Sequence, residues 1–324
     1  MVQGILFPDA DAITIQNKRV PHPIPYQGSK RNLAVEILSC FHSKVHRLVE
    51  PFAGSAAVSL AAAYYDKADT FWINDAHPAL VELWRQIIGH PEKLAAKYAE
   101  IWNGQLGRER AFYDVIRDRF NETHRPEFFL YLLARCVKAA IRYNSKGFFN
   151  NSPDNRRKGA LPENMQKRLM GASALLRGRV ELTALDYKSV LAKCGPADLI
   201  YMDPPYQGVC GRRDNRYLPK VDHEAFCAAL AELNSRDCLY LVSYDGRTGT
   251  KIHGQPLSAH LGLAHIELHA GRSTQATLLG RNDDTYESLY LSPALAKAVR
   301  NNKTSCRKPL SEADGLSTHD QKIR

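Results

Sequence analysis

Ala197-Asp198-Leu199-Ile200-Tyr201-Met202-Asp203-Pro204-Pro205-Tyr206 is the stretch whose reading decides the fold. Its first six residues form a mainly apolar run that reads as a buried strand. Two consecutive prolines cannot continue a sheet ladder, because neither has an N–H to donate. The chain must leave the strand tip in a stiff, extended turn. That turn presents the Asp203 carboxylate, proline carbonyls and the Tyr206 ring at the strand's C-terminal end, where open α/β sheets bind ligands. It suits a ligand with an exocyclic amino group: Asp203 and the Pro204 carbonyl take the two amine hydrogens and the ring stacks on the plane. The plainer reading is a turn that merely ends the strand.

Two upstream segments favour the first reading. Leu48-Val49-Glu50-Pro51-Phe52-Ala53-Gly54-Ser55 reads as a short strand and a turn leading into the Ala-rich helix 56–65. Gly54 lets the backbone approach a ligand at the helix start. The segment has neither the spacing of a dinucleotide fingerprint nor a phosphate loop. Thr70-Phe71-Trp72-Ile73-Asn74-Asp75 looks like the next strand. An acid about 20 residues beyond the first turn is placed to accept from ribose hydroxyls. Asp75 is equally suited to cap a helix at Pro78–Ile88. Further upstream, Pro25-Tyr26-Gln27-Gly28-Ser29-Lys30-Arg31 is a small-residue turn before a helix at Asn32–Phe41. Its ring can stack on a planar group or a sulfonium, and Lys30 can hold a carboxylate. A basic surface turn is the alternative.

In this order the segments resemble the DNA adenine N6-methyltransferases of the Dam type (alpha class, D12). Tyr26–Lys30 is similar to the family's first cofactor motif, Glu50–Ser55 to its Glu-Pro-Phe-x-Gly motif, and Asn74-Asp75 to the acidic end of its second strand. Asp186-Tyr187 resembles the pair that flanks the cofactor's adenine, and Asp203–Tyr206 is the catalytic Asp-Pro-Pro-Tyr. Arg142-Tyr143-Asn144-Ser145-Lys146-Gly147-Phe148-Phe149-Asn150 is similar to the target-recognition hairpin. The resemblance runs over residues 22–292. It implies S-adenosyl-L-methionine as cofactor, held by Tyr26, Gly28, Lys30, Glu50, Pro51, Phe52, Gly54, Asp75, Asp186, Tyr187 and Asp203. It also implies double-stranded DNA as substrate, with transfer to N6 of a flipped adenine, and it leaves room for a cognate restriction endonuclease acting separately. This chain departs from the family pattern at Ser55-Ala56 and after Asn150, where Asn151-Ser152-Pro153-Asp154-Asn155-Arg156-Arg157-Lys158 shifts the expected register by a residue. The familiar GATC target is therefore not carried over.

The remaining composition is consistent with this. The chain has 324 residues, 44% of them hydrophobic, and a net charge of +10. That length buries a sizeable core, and that charge favours a polyanionic partner. The longest apolar stretch, 56–65, is too short to span a bilayer, and no basic-then-apolar leader opens the chain. Seven scattered cysteines, without a C-x-x-C pair, suggest reduced thiols and neither disulfides nor a metal cluster. The expected setting is the cytoplasm of a bacterium, with the gene from host or phage and the protein held at the nucleoid through DNA.

Strand and helix signals alternate over 22–85 and again over 185–298, which predicts an α/β protein: a Rossmann-like, mostly parallel sheet with helices on both faces. The segment 86–184 interrupts it, and about one hundred residues are too many for an ordinary βα connection. It is expected to be an inserted, mainly helical DNA-recognition domain with a hairpin near 142–158. A mixed-charge helix is expected at Arg108–Arg119, another helix at Phe128–Ile141, and strands at Val180–Leu185, Cys238–Ser243, His265–Leu268 and Ser288–Leu291. The polar tail 299–324 is expected to be disordered.

A base inside a duplex must be flipped to meet such a turn. Tyr143 and Phe148 are candidates to fill the vacated stack. Arg142, Asn144, Lys146, Asn150, Arg156, Arg157 and Lys158 are candidates for base edges or phosphates, joined by Arg212 and Arg213 after the catalytic turn and by Arg272. Rival readings are an RNA guanine N2-methyltransferase, a cytosine N4 enzyme (more often with Ser first), a protein-glutamine enzyme (with Asn first) and a non-catalytic DNA-binding protein on the same fold.

Overall fold

The computed structural model describes residues 20–205, 221–249, 251–272 and 284–306. Residues 1–19 and 307–324, Tyr206, Arg212 and Arg213 lie outside the described residues, as does the Arg272 side chain.

Five short segments pair in parallel. They are β1 (Val45–Glu50), β2 (Ala68–Asn74), β3 (Val180–Thr183), β4 (Asp198–Met202) and β5 (Leu239–Thr248). β8 (Asp284–Leu291) adds antiparallel to β5, and β7 (Ala264–Arg272) antiparallel to β8. The order is β3-β2-β1-β4-β5-β8-β7, with the short β6 (Lys251–His253) paired to β5. Strand order reverses between β1 and β4, the switch point at which doubly wound sheets bind ligands beyond their C-terminal ends. This is the Rossmann-like, mostly parallel sheet that the pattern predicts.

The two faces follow the period-two alternation of strands. Leu48, Phe71, Leu199 and Leu241 point into one buried cluster, whereas Val49, Trp72, Ile200 and Val242 point into another. The first is covered by α1 (Ala34–Ser39) and α2 (Ala57–Tyr64), and the second by α8 (Tyr187–Leu191) and α9 (His223–Ser235). Alanine dominates α2; it favours helix, and its small size lets the helix lie close to the strands. A buried charge in the central strand is balanced locally: Asp198 takes two hydrogen bonds from Arg47 on β1, at 2.7 and 3.0 Å.

Between β2 and β3 run α3 (Pro78–Gly89), α4 (Pro91–Gly104), α5 (Glu109–Thr123), α6 (Pro126–Arg135) and α7 (Pro162–Leu176). Their aromatic interior, including Tyr98, Tyr113, Phe120 and Phe129, is continuous with the first cluster. The expected division at 184 included Val180–Thr183 in this segment. That strand instead pairs with β2 in the sheet, register Trp72↔Glu181. Helix α6 also ends earlier than expected. Cys136 is extended, and Lys138 and Ala139 are left-handed, at φ 58 and 52, so the helical ladder breaks before Ile141. The last helix, α10 (Pro293–Cys306), covers positions that the polar composition assigned to a disordered tail from 299. Leu295, Ala296 and Val299 are buried in the first cluster, and this packing outweighs the polar sequence of the last turns.

Residues 142–150 form a hairpin. Tyr143 and Phe149 are bridged antiparallel, the Asn144 N–H donates to the Phe148 carbonyl at 2.9 Å, and Gly147 at φ 78 turns the tip. Its base is anchored by Asn151, whose amide nitrogen donates to the carbonyls of Val137 and Ala140 at 3.0 and 2.9 Å.

Candidate active site

The C-terminal ends of β1, β2, β4 and β5 open into one cavity of about 700 Å³, within the range of small-molecule sites. Tyr26–Lys30, Glu50–Ser55, Asp75, Asp186-Tyr187 and Asp203–Pro205 all line it, so the structure brings together every sequence-predicted cofactor residue.

The turn after β1 is tightly set. Gly54 has φ +51, and a Cβ there would stand 2.9 Å from the Tyr26 ring; no larger residue fits without displacing Tyr26. Ala56 is left-handed too, at φ 47, as the chain enters α2. Glu50 accepts from the Ser59 N–H at 2.6 Å. Burial, opposed by that bond and reinforced by the nearby Asp203 charge, pushes the Glu50 carboxyl up to about 7. Asp75 was open between two roles, ribose acceptor and helix cap. The cap is in fact His77, whose Nδ1 accepts from the Leu80 N–H at 3.1 Å. Asp75 accepts from the N–H groups of Gly54 and His77, both at 2.9 Å, and faces the cavity. Burial raises its pKa against those two bonds. Asn74 locks the neighbouring tips: its amide nitrogen donates to Pro51 and Leu185 carbonyls, and its oxygen accepts from Thr183 and Leu185.

An aromatic pair lines the same cavity. Phe52 and Tyr187 are 5.1 Å apart at 33°, backed by Phe226. Asp186 caps α8 through the Lys188 N–H at 2.9 Å.

At the tip of β4, Asp203 receives the Lys30 ammonium at 2.9 Å on each oxygen. Burial pushes its carboxyl up to about 6; the Lys30 charge pulls it down and Glu287 pushes it up. Lys30 is only 6% exposed. Its contacts place it against the Asp203 carboxylate at the tip of β4, within the cavity where the sequence suggests that it holds a ligand carboxylate. Beneath it, the Tyr201 hydroxyl and Ser243 share a 2.8 Å hydrogen bond between β4 and β5.

The lining is acidic in a basic protein: Glu50, Asp75, Asp186, Asp203, Asp222, Asp245 and Glu287 against Lys30, Lys188 and Arg247. Sequence reasoning missed Asp245 and Glu287. Asp245, left-handed at φ 52, sits in a bulge of β5 and accepts from Tyr290 at 2.8 Å; the Asp-Gly pair at 245–246 inside an apolar strand was the available signal. Glu287 shares a face with the buried Leu289 and Leu291, so an acid at a core-facing position was legible by alternation.

The hairpin residues divide. Tyr143, expected as a stacking wedge, is held in the cavity wall: its hydroxyl lies 2.6 Å from His77 Nε2 and its ring packs edge-on against Phe149. His77 is stacked on Phe129, and burial lowers its pKa to about 4, so with Nδ1 accepting from Leu80 the neutral ring carries its proton on Nε2 and donates to Tyr143. Asn144 spends its side-chain oxygen on the N–H groups of Lys146 and Phe148 at 3.0 Å each, holding the tip. Arg157 is paired with Asp154 at 2.7 Å and Lys158 with Glu109 at 2.8 Å. Phe148 is 47% exposed. Among the described residues, the side chains of Lys146 and Arg156 have no ion-pair or hydrogen-bond partner, and both are exposed, as is Asn150. Arg142 stands at the hairpin base, its carbonyl accepting from the Asn150 N–H.

Comparison with known proteins gives one consistent match. The profile of a family described as D12 class N6 adenine-specific DNA methyltransferase aligns with residues 26–235. The retron Ec67 DNA adenine methylase of Escherichia coli is 30% identical over half of this chain and 55% of its own length. The DNA N-6-adenine-methyltransferase of Escherichia phage P1 is 29% identical over half of this chain and 21% of its own. The DNA adenine methylase of Haemophilus influenzae is 26% identical over 56% of this chain and 63% of its own. The matched part of this chain thus spans less than two thirds of each of these relatives. Among the described residues no helix is long and apolar enough to cross a membrane.

Proposed function

The chain belongs to the D12 class of N6 adenine-specific DNA methyltransferases, and from that premise we propose that it moves a methyl group from S-adenosylmethionine to N6 of an adenine flipped out of duplex DNA. The observation that carries the proposal is the position of Asp203. Its carboxylate stands in the same cavity as the Phe52–Tyr187 pair, the Gly54 turn and Asp75.

The residues present fit the cofactor. The excess of carboxylates suits a cation, Phe52 and Tyr187 suit its adenine, and buried Asp75 suits ribose hydroxyls. Gly28 and Gly54, both at positive φ, keep the backbone low beside Tyr26. When bound, S-adenosylmethionine supplies an electrophilic methyl group on its sulfonium.

The chain's own residues act on the acceptor. The adenine amine is a poor nucleophile because its lone pair is delocalised into the ring. Asp203 and the Pro204 carbonyl accept its two hydrogens and favour the tetrahedral nitrogen whose lone pair can attack. Tyr206, outside the described residues, is assigned by its place in the motif to stack on the base. Most of the acceleration comes from holding the reactants at attack distance. The helical segment and its hairpin read the target. Phe148 fills the gap left by the flipped base, Arg156 reaches a base edge, and Lys146 holds a phosphate.

The test is incubation of the full chain with methyl-labelled S-adenosylmethionine and, separately, duplex DNA, RNA or protein. Label in duplex DNA alone is expected. Label in RNA or protein, with none in DNA, would replace this reading by one of its rivals.

A further inference from the structure

Glu287 is a carboxylate where the strand pattern calls for a hydrophobe. On β8 it shares its face with Leu289 and Leu291, both fully buried. Gly246 lies opposite it on β5, just past the bulge. A Cβ at Gly246 would come within 2.5 Å of the Tyr286 carbonyl oxygen, so β5 and β8 run close together here. Glu287 is only half-buried, but its Oε2 is shielded from solvent; a shielded carboxylate oxygen favours a cationic partner, and this one lies 3.2 Å from the Lys30 ammonium.

Lys30 is therefore shared. It holds both oxygens of Asp203 at 2.9 Å and is flanked by Glu287 at 3.2 Å, with the Gly28 carbonyl at 3.5 Å. That creates a conflict in the reaction of the preceding section. Asp203 must accept a hydrogen from the target amine, yet its acceptor sites face an ammonium. Removing Lys30 outright would leave two carboxylates facing each other. A second carboxylate on the far side of the same ammonium resolves the conflict.

Resting on the proposed methyl transfer to adenine, we propose that Glu287 is a positioning residue that takes the Lys30 ammonium as the target amine arrives, so that Asp203 is freed to accept from it. The movement needed is small, since Lys30 already touches both acids. Only hydrogen bonds are exchanged, and no proton changes owner between Lys30 and Glu287. The neighbouring groups allow this. Glu50 on β1, Tyr201 on β4, Asp245 and Arg247 on β5, His253 on β6, and Tyr26 and Asp75 on the cofactor side face the same pocket; Arg247 is paired with Glu267 and Asp245 with Tyr290, and Lys30 is the cation that touches both acids.

The test is Glu287→Gln in the full chain, assayed for methyl transfer to a duplex that the wild type modifies. The variant keeps the shape but removes the charge that competes for Lys30. We expect kcat to fall by about 10- to 100-fold, the scale of a misplaced catalytic group, with KM for S-adenosylmethionine within about twofold. The acid limb of the kcat profile should also move to lower pH, because Glu287 is one of the charges that raise the Asp203 pKa. Glu287→Asp, which restores the charge, should recover part of the rate, and it replaces Glu287→Gln as the test if the latter does not fold. An unchanged kcat and profile overturns the inference. So does a fall in kcat without movement of the acid limb, which marks a merely structural role. A wild-type chain that methylates no DNA overturns the proposed function itself, an outcome distinct from either.

Discussion

The cavity and the hairpin are built on opposite principles. In the cavity nearly every polar group is committed. Asp75 serves two backbone N–H groups, Asn74 ties neighbouring strand tips, Lys30 lies between two acids, and Gly54 is fitted against Tyr26. On the hairpin only the frame is committed: Asn144 holds the tip and Asn151 the base. Phe148, Lys146, Asn150 and Arg156 project outward. The charges divide in the same way, with an acidic pocket in a chain of net charge +10. On the proposed function, the fixed site would serve any target sequence, whereas the exposed basic tip could change its target without disturbing the chemistry.

Breaking the cavity should therefore cost turnover and spare DNA binding. The largest effect is expected from Asp203→Ala: methyl transfer falls by about 10³-fold, the scale of losing a preorganised group aimed at developing charge, while duplex affinity stays within about twofold. Equal losses in rate and affinity would show that the two regions are not separable. Gly54→Ala comes next. A Cβ 2.9 Å from the Tyr26 ring, at φ +51, should cost about 1–3 kcal/mol of strain. Calorimetric titration with S-adenosylhomocysteine should show affinity lowered accordingly, and unchanged affinity would remove the turn from the cofactor site.

Breaking the hairpin should cost discrimination. Arg156→Ala is expected to lose about 1–3 kcal/mol between cognate and single-mismatch duplexes, whereas Arg157→Ala, whose guanidinium is already paired with Asp154, should change discrimination little. If the two behave alike, base readout lies elsewhere in the helical segment. Lys146→Ala should weaken all sequences alike and lower the salt slope by about 0.9.

The gentlest perturbation is pH. In the proposed mechanism Asp203 acts ionised, and burial pushes its carboxyl up to about 6. Turnover should hold above that value and fall as pH drops through it, with hairpin-driven binding unaffected by this group. A rate flat down to pH 5 would mean that Asp203 is not the acceptor.

The two regions also differed in how much the sequence revealed. The cavity was legible because local chemistry writes itself into short motifs. Two prolines after an apolar run end a strand at a ligand-binding tip, and a glycine after Glu50-Pro51-Phe52 marks a close approach. Glu287 and Asp245 were missed because each comes to the cavity from a strand distant in sequence, and the cues were a single acid on a core face and an Asp-Gly pair in a strand. The hairpin's position was legible from Asn, Gly and aromatic punctuation, but its division of labour was not. Tyr143 and Phe148 look equivalent as sequence. The one is held by His77, more than sixty residues upstream, and the other is left in solvent. The end of α6 was misjudged because the left-handed backbone at Lys138 and Ala139, fixed by tertiary contacts such as the Gln27 N–H to the Ala139 carbonyl, has no glycine to announce it.

The central claim is that this cavity methylates N6 of adenine in duplex DNA. Its most direct test is mass spectrometry of nucleosides from duplex DNA treated with the full chain and methyl-deuterated S-adenosylmethionine. Deuterated N6-methyl-deoxyadenosine is expected with the wild type, formed about 10³-fold more slowly with Asp203→Ala. Label on cytosine, or equal labelling of adenine by both proteins, would contradict the claim.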